Sequence, residues 1–294
     1  MIVTPFADAT FGAEVTGIDL SRPIADGEFD ALYQAFLDFH VLAIRDQDIS
    51  ADQQVDFTRR FGPIGEHANR RYRHPDNPYV LLLTNEIGPD GRPIGVIDAG
   101  DMWHSDSSHH AVPAKMTLLH SVRRPTRGGD TEFCDMHAVH DALPEELRRR
   151  IAGRFGVHHA SKLLNPRAII STSRPDAQEN YEESARERPH ARQPLLRTHP
   201  ETGRPSVYAS PRFTIAIDGM DETEAQAILD ALFSYLTDRR APYHLRYKWR
   251  DGDVVLWDNR SVNHRAVGGY GMDDIRRLHR TTVAGDAAFY RPAA

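Results

Sequence analysis

The feature of this sequence that most limits its fold is a series of roughly ten short segments with strand character, which do not alternate regularly with helical segments. Residues 243–250 show the pattern most clearly, because apolar and polar side chains alternate along them as in a half-buried strand. The Asp251-Gly252 pair that follows predicts a turn leading into the next strand, residues 254–257. A doubly wound parallel sheet needs regular strand–helix alternation, so the sequence disfavours that fold.

Only a few helices accompany these strands. Helical periodicity starts near residues 26, 50, 143 and 221, and Ser50 with Gln53 forms the capping-box pattern that begins a helix. This balance predicts a mostly β protein with flanking helices and a double-sheet core of the jelly-roll kind. A chain of 294 residues can be one large sheet-rich domain, and we expect a single domain over residues 1–294.

One segment departs from this pattern. Residues 161–192 are rich in Asn, Pro, Ser, Arg and Glu and contain few apolar positions. We interpret this change in composition as a lid or insertion. A solvated surface loop is the alternative.

Composition narrows the class of partner and the compartment. The formal net charge is −6, whereas nucleic acids and anionic membrane surfaces are usually bound by basic faces. The single cysteine, Cys134, excludes an intrachain disulfide, and we interpret it as a small buried hydrophobic residue. No signal-peptide pattern and no membrane-spanning apolar run is visible. We therefore expect a cytoplasmic enzyme that acts on a small molecule and binds neither nucleic acid nor membrane.

A candidate metal site lies in the middle of the chain. His104 and Asp106 are separated by one residue, so on an extended strand both side chains point to the same face. His264, far downstream, can supply a third ligand, and two histidines with one carboxylate form the facial triad of non-heme Fe(II) oxygenases. The spacing alone is a weak signal, because an ordinary strand with a hydrogen-bonded histidine shows it too.

Two arginines on the last predicted strand offer a site for an organic anion. An iron enzyme that uses O2 needs electrons; the sequence has no flavin or haem motif, and a 2-oxo acid can supply them. The distal carboxylate of such an acid needs a fixed cation. Arg276 and Arg280 share one face of the strand, and a planar guanidinium suits a carboxylate or a sulfonate. Arg277 points the other way, and we interpret it as a surface charge.

Several motifs of this chain occur together and in the same order in one known family. They are Arg-Phe-Gly at 60–62, Trp-His-Ser-Asp-Ser-Ser at 103–108, Pro-Ala-Lys at 113–115, Gly-Gly-Asp-Thr-Glu-Phe at 128–133, Arg-Thr-His-Pro at 197–200, Trp-Asp-Asn-Arg at 257–260 with His264, and His-Arg-Thr-Thr-Val-Ala-Gly-Asp at 279–286. With these motifs the chain resembles the taurine / 2,4-dichlorophenoxyacetate dioxygenase family, which depends on Fe(II) and 2-oxoglutarate.

The resemblance implies a fold, a cofactor and a reaction. It implies a double-stranded β-helix core, a variety of jelly roll, with His104, Asp106 and His264 as iron ligands. It also implies Thr131 and Arg276 as partners of the distal carboxylate of 2-oxoglutarate. The implied reaction consumes O2, converts 2-oxoglutarate to succinate and CO2, and hydroxylates a substrate C–H bond. A heteroatom leaving group on that carbon would then give C–O or C–S cleavage.

The resemblance also implies a small anionic substrate, such as a sulfonate, an alkyl sulfate or an aryloxyalkanoate. Arg280 matches a position that faces an anionic substrate group in sulfonate-handling relatives, and it can instead help to hold the co-substrate. His67 and His74 lie in the loop that helps to form the substrate pocket in relatives, and His109 stands where an aromatic residue such as Phe is expected. We predict these histidines as substrate contacts; for each, a polar residue without such a role is the alternative.

Two other functions fit parts of the pattern. A zinc-dependent hydrolase of the same shape also accepts two histidines and a carboxylate, but it does not explain Thr131 and Arg276. A non-catalytic binding protein on the same fold has no need of a complete set of metal ligands. Relatives tend to form dimers or tetramers, so a homo-oligomer is expected.

Overall fold

The computed structural model describes residues 1–65, 70–97, 100–160 and 190–292 of the chain. In these ranges the chain forms fifteen strands, five α-helices and two short 3-10 helices at Arg70–Tyr72 and Tyr235–Thr237. The strands are β1 Ile2–Pro5, β2 Ala13–Thr16, β3 Val41–Ile44, β4 Leu81–Thr84, β5 Ala114–Arg123, β6 Thr131–Asp135, β7 Phe155–His158, β8 Ala191–Pro194, β9 Leu196–Thr198, β10 Pro205–Val207, β11 Thr214–Ile217, β12 His244–Tyr247, β13 Val254–Asp258, β14 Val262–Ala266 and β15 Arg277–Ala284. The α-helices are α1 Asp26–Phe39, α2 Ala51–Arg59, α3 Met136–Ala142, α4 Glu145–Ile151 and α5 Glu222–Ser234.

The helices begin where the sequence predicts, with one addition. Helix α2 starts at a capping box in which the Ser50 hydroxyl accepts from the Gln53 backbone N–H at 3.2 Å and the Gln53 side chain accepts from the Ser50 N–H at 2.7 Å. Helix α3 was not predicted. It has seven residues and follows β6 directly, capped by the Asp135 carboxylate, which accepts from the His137 N–H at 2.8 Å. A helix this short contains too few apolar repeats to be recognised by periodicity.

Seven of the fifteen described strands belong to one large sheet. Its order is β1-β2-β3-β13-β5-β15-β4, and its strand pairs are antiparallel except for β2 with β3. Three smaller sheets have the orders β12-β6-β14, β11-β7-β8 and β10-β9. The prediction of a mostly β fold with flanking helices is therefore confirmed.

The predicted turn at Asp251-Gly252 is present, but it does not close a hairpin. Gly252 adopts a φ of +79°, which a side chain would disfavour. Strand β12 before the turn pairs with β6 in a three-stranded sheet, whereas β13 after it pairs with β3 and β5 in the large sheet. The turn therefore carries the chain from one sheet to another.

The large sheet separates two apolar layers. Leu118 of β5 packs with Phe36 of α1 and Phe57 of α2 on one face. Its neighbour Leu119 points to the other face and packs in a cluster with Phe133 of the β12-β6-β14 sheet. The two sheets thus face each other, and residues of both line the space between them.

Two expectations about particular segments can be compared with these ranges. In the predicted lid, residues 161–189 lie outside the described residues, and Ala191 and Arg192 at its end begin β8. Cys134 is fully buried, as predicted, and burial raises the pKa of its thiol well above the usual value. No helix in the described ranges is long and apolar enough to cross a bilayer.

Candidate metal centre

Two histidines meet where their chain segments form an isolated antiparallel bridge. The His104 N–H donates to the His264 carbonyl at 3.0 Å, and the His264 N–H donates to the His104 carbonyl at 2.8 Å. The two rings are 4.2 Å apart between centroids. With Asp106 they offer three buried ligand atoms that all lie within 4.8 Å of one another. The structure thus brings together the three residues predicted to bind a metal ion.

A turn, not a strand, brings Asp106 to these rings. His104 is strand-like only at the bridge, and no described strand contains either residue, so the prediction of an extended strand is wrong. Ser107 adopts a left-handed φ of +58°, and the His110 N–H donates to the Ser107 carbonyl at 2.9 Å. The turn leaves Asp106 Oδ1 3.5 Å from His104 Nε2, and Asp106 Oδ2 3.7 Å from His264 Nε2.

A chain of hydrogen bonds holds the Asp106 carboxylate. The Thr117 hydroxyl donates to Asp106 Oδ2 at 2.6 Å, and the Asn259 amide donates to the Thr117 hydroxyl at 3.0 Å. Asn259 Oδ1 also accepts from the Asp106 backbone N–H at 3.1 Å and from the Trp257 indole N–H at 3.1 Å. Sequence analysis missed the roles of Thr117 and Asn259; the only signal for Asn259 was its place in the motif at 257–260.

The electrostatics of the three side chains match the protonation states that a metal ion requires. Burial raises the pKa of Asp106, but the Arg280 guanidinium and the two imidazoles outweigh burial and hold that pKa well below its usual range. Burial lowers the pKa of His104 and of His264, so both rings are neutral near pH 7. His104 Nδ1–H donates to the Met102 carbonyl at 2.8 Å, which leaves the Nε2 lone pair facing Asp106. Two neutral imidazoles and one carboxylate fit a divalent metal ion.

A buried cation lines the pocket beside these rings. The Arg276 backbone N–H donates to the Asn85 side chain at 2.9 Å, and Arg276 Nε donates to the Gly129 carbonyl at 3.2 Å. Among the described residues, no carboxylate forms an ion pair with Arg276, and burial lowers the pKa of its guanidinium. The Thr131 hydroxyl, which accepts from the Trp249 indole N–H at 3.0 Å, lines the same pocket.

The two arginines of β15 have carboxylate partners. Arg280 Nη2 lies 3.0 Å from Asp106 Oδ1, and Arg280 Nε donates to the Thr282 hydroxyl at 3.2 Å. Arg277 donates to the two Glu86 oxygens at 2.5 and 2.7 Å. The alternation of side chains along β15 thus points Arg280 to the metal ligands and Arg277 away from them.

Of the histidines predicted as substrate contacts, His67 lies outside the described residues, and His74 is not brought to this site. His74 packs edge-to-face on His279, with 4.9 Å between ring centroids. His279 precedes Arg280 in β15, so its side chain is on the opposite face of the sheet.

The third predicted histidine, His109, belongs to an aromatic wall on one side of the site. Its ring stacks on Phe213 at 4.5 Å, and the Phe213 ring lies 5.9 Å from the His104 ring. Arg212 adjoins this wall, because its backbone N–H donates to the Trp103 carbonyl at 3.3 Å. Burial and the Arg212 charge both lower the pKa of His104. Nothing in the sequence distinguishes Arg212 from the other arginines, so sequence analysis missed it.

The turn after Asp106 rests on a buried histidine whose protonation destabilises the fold. The ring nitrogens of His158 lie 3.1 Å from the Ser108 hydroxyl and 3.1 Å from the Thr214 hydroxyl. Burial lowers the pKa of His158 from 6.5 to about 3. Below pH 6.5 the unfolded chain binds a proton that the folded chain does not, so stability falls as the pH falls.

We expect a change from pH 7.5 to pH 5 to lower the free energy of unfolding by about 2 kcal/mol through His158 alone. The variant His158→Gln should lose this part of the pH dependence, although it also loses stability at pH 7.5. Denaturant unfolding at both pH values measures the difference. An unchanged pH dependence in His158→Gln would contradict the prediction.

Comparison with known proteins assigns the chain to a family. The model of the family described as taurine catabolism dioxygenase TauD, TfdA family, matches residues 3–282. The chain belongs to this family. The α-ketoglutarate-dependent 2,4-dichlorophenoxyacetate dioxygenase of Cupriavidus pinatubonensis is 33% identical over 287 residues, which cover 94% of this chain and 96% of that protein. The (S)-phenoxypropionate/α-ketoglutarate dioxygenase of Sphingobium herbicidovorans is 32% identical, with 96% and 94% covered.

The chain is also similar to a solved structure. The crystal structure of AAD-2 in complex with Mn(II) and N-oxalylglycine has a TM-score of 0.77 and 30% identity, and the match covers 97% of this chain and 98% of that one. The protein is accordingly a dioxygenase dependent on 2-oxoglutarate, which is also called α-ketoglutarate, and it uses Fe(II) and O2. Membership of the TauD/TfdA family favours this activity over the zinc hydrolase and the non-catalytic binding protein. The resemblance stated from the sequence motifs is confirmed.

Proposed function

We propose that this dioxygenase hydroxylates a small anionic organic acid: an aryloxyalkanoate, an alkyl sulfate or a sulfonate. Where the hydroxylated carbon carries the ether oxygen, the sulfate oxygen or the sulfur, the product then collapses with C–O or C–S cleavage. The two relatives described above act on 2,4-dichlorophenoxyacetate and (S)-phenoxypropionate, which are both carboxylates near pH 7. The observation that carries the proposal is that two arginines, Arg276 and Arg280, line the pocket beside the three buried metal ligands. The chain as a whole has a negative net charge, so this positive charge is local to the site.

His104, Asp106 and His264 are the proposed Fe(II) ligands. Iron held there together with 2-oxoglutarate supplies the oxidising power for hydroxylation, with release of succinate and CO2. The contribution of the chain is to keep these donors fixed and in the right protonation state. The Thr117 hydroxyl and the Arg280 guanidinium both contact the carboxylate and favour its ionised form. Burial of all three ligands keeps bulk water away from the reacting centre.

Thr131 and Arg276 are the proposed partners of the distal carboxylate of 2-oxoglutarate. A planar guanidinium binds a carboxylate with two parallel hydrogen bonds, and the hydroxyl adds a further donor. A buried cation without an anionic partner is unfavourable, so a bound carboxylate stabilises Arg276. N-oxalylglycine, the ligand of AAD-2, carries two carboxylates and an oxo group, as 2-oxoglutarate does. Arg280 is proposed to orient Asp106 and to face an anionic group of the co-substrate or the substrate.

His109 is a proposed substrate contact. His109 presents a flat ring, stacked on Phe213, against which an aryl or alkyl group can lie. A substrate contact at His67 stays a prediction. We propose no substrate role for His74, because it lies on the opposite face of β15 from Arg280.

At the level of the whole molecule, we propose one domain over residues 1–294 with a double-stranded β-helix core, the jelly roll of the sequence prediction. The face-to-face arrangement of the large sheet and the β12-β6-β14 sheet supports this core. A cytoplasmic location and a homo-oligomer such as a dimer or tetramer are further parts of the proposal. So is a lid or insertion at residues 161–192, the last two of which begin β8. Negative charge supports the absence of nucleic acid as a partner.

The test of the proposed function is succinate formation from 2-oxoglutarate, in air with Fe(II), across a panel of aryloxyalkanoates, alkyl sulfates, sulfonates and amino acids. We expect succinate well above the no-substrate blank for one of the anionic classes, because a bound substrate couples the oxidation of 2-oxoglutarate to its own hydroxylation. A uniform low rate would contradict the substrate class. No succinate with any compound, in protein shown to bind metal, would contradict the reaction.

A further inference from the structure

The position of Arg212 suggests a role that neither the metal ion nor the co-substrate requires. Arg212 precedes β11, and its backbone hydrogen bond to the Trp103 carbonyl, at 3.3 Å, holds it next to the residue that precedes His104. Its guanidinium carbon is 5.6 Å from the centre of the Phe213 ring. The charge of Arg212 therefore lies beside the aromatic wall formed by Phe213 and His109, where a substrate bound against His104 would lie.

One carboxylate near Arg212, that of Asp101, makes only a long contact with it. Arg212 Nη1 is 3.5 Å from Asp101 Oδ1, and the Asp101 side chain is 41% exposed. Arg280, by contrast, is 3.0 Å from Asp106, whose side chain is only 5% exposed. A long contact to an exposed carboxylate contributes little stability, so another anion can replace it at small cost.

We propose that Arg212 selects the anionic group of the substrate, and that a substrate oxyanion replaces the long contact between Arg212 and Asp101. This inference rests on the proposed function and names a recognition residue for it. Arg276 and Arg280 are less suited to this task. Arg276 shares its pocket with Thr131, the other residue assigned to the co-substrate, and Arg280 is bound to the metal-ligand carboxylate.

The chemistry of the wall indicates the class of substrate. A guanidinium offers a planar fork that matches a carboxylate or a sulfate monoester and discriminates strongly against a neutral amide of the same shape. The stacked rings of Phe213 and His109 offer a flat face for an aryl or alkyl group. An aryloxyalkanoate supplies both features in one small molecule, with its carboxylate at Arg212 and its ring on the wall.

The test compares phenoxyacetate with its neutral primary amide, phenoxyacetamide, in protein loaded with Mn(II) and N-oxalylglycine. Calorimetry gives a Kd for each probe without turnover. We expect wild type to prefer the anion, and Arg212→Gln to weaken phenoxyacetate binding by about 10- to 100-fold while the amide changes much less. Arg212→Lys should fall between, because it keeps the charge and loses the fork. In turnover with phenoxyacetate, the loss in Arg212→Gln should appear in KM more than in kcat.

Asp101→Asn provides a change in the opposite direction. It removes the competing carboxylate, so phenoxyacetate should bind about 2- to 5-fold more tightly, and the amide should not. The matched control is the exposed ion pair of Arg22 and Asp19, with 2.8 Å between Arg22 Nη2 and Asp19 Oδ2. Arg22→Gln and Asp19→Asn should leave both Kd values unchanged.

Several outcomes would overturn the inference. A wild-type protein that binds neither probe, or binds both equally, lacks the proposed anion selection. Equal weakening of both probes in Arg212→Gln would assign the residue a structural role next to His104. Weaker phenoxyacetate binding in Asp101→Asn would mean that the carboxylate positions Arg212 and does not compete with the substrate. Succinate formation by wild type in the absence of either probe tests the dioxygenase reaction separately.

Discussion

Asp106→Asn is expected to lower the rate of succinate formation by at least about 100-fold. Asparagine has nearly the same shape as aspartate and can still accept the hydrogen bond from the Thr117 hydroxyl. It has no charge, however, and a neutral amide oxygen is a much poorer ligand for a divalent metal ion. Loss of residues that merely orient a ligand typically reduces metal affinity or activity by about 10- to 100-fold, so loss of the ligand itself should exceed this range.

The measurements are the initial rate of succinate formation at saturating 2-oxoglutarate and the Kd for Mn(II) by calorimetry. Circular dichroism must show that the variant is folded, because the carboxylate also neutralises the buried end of Arg280. Asp56→Asn is a suitable control, since Asp56 is exposed on α2 and pairs with Arg59 on the same helix. A folded Asp106→Asn protein that turns over at the wild-type rate would exclude Asp106 as a metal ligand.

Arg276→Met is expected to raise the KM for 2-oxoglutarate by about 30- to 1,000-fold, as the loss of a buried charge partner of a carboxylate does. The same substitution should raise the melting temperature of the protein without co-substrate. Arg276 is buried without an ion-pair partner among the described residues, and removing such a charge in favour of an apolar side chain is often stabilising. A higher KM for 2-oxoglutarate together with a higher melting temperature in its absence is expected only for a cation whose anionic partner is the co-substrate.

The neighbouring arginine is the matched control. Arg277 binds Glu86 with two hydrogen bonds on the opposite side of β15, so Arg277→Met should reduce stability and leave the KM for 2-oxoglutarate unchanged. Steady-state kinetics with 2-oxoglutarate as the varied substrate and thermal unfolding of all variants complete the comparison. An Arg276→Met enzyme with the wild-type KM would assign the distal carboxylate to another cation.

The parts of the fold that the sequence predicts correctly are those with local causes. The capping box at Ser50 and Gln53 is a contact between residues three positions apart, and it marks the start of α2 in the sequence as it does in the structure. Alternation along residues 277–284 correctly places Arg280 and Arg277 on opposite faces of β15. Both signals depend only on residues that are close together in the sequence.

Strand partners have no such local cause. The alternating pattern of β12 indicates that one face is buried, but it does not indicate that β6 is the neighbour and β13 is not. The turn at Asp106 is a second example. Its left-handed residue is Ser107, a residue type that seldom adopts a positive φ, so the sequence around the motif resembles a strand.

In the candidate site, the metal ligands could be predicted from the sequence, but the residues that contact and orient them could not. Two histidines and an aspartate stand out in the sequence because their chemistry is distinctive. Thr117 and Asn259 are common polar residues, and they reach each other across 142 positions of the chain. Arg212 reaches the site through the packing of the segment before β11. Contacts of this kind depend on the complete tertiary fold, and a single sequence contains no pattern that marks them.

The hydrogen-bonded chain from Trp257 through Asn259 and Thr117 to Asp106 does not include Arg212 or Asp101. The groups that hold the metal ligand and the groups proposed to recognise the substrate can therefore change independently during evolution. A substitution at position 101 or 212 can alter which acid is accepted while the oxidising centre stays intact. A scaffold with this separation can acquire new substrates in single mutational steps, each of which leaves a working enzyme for selection to act on.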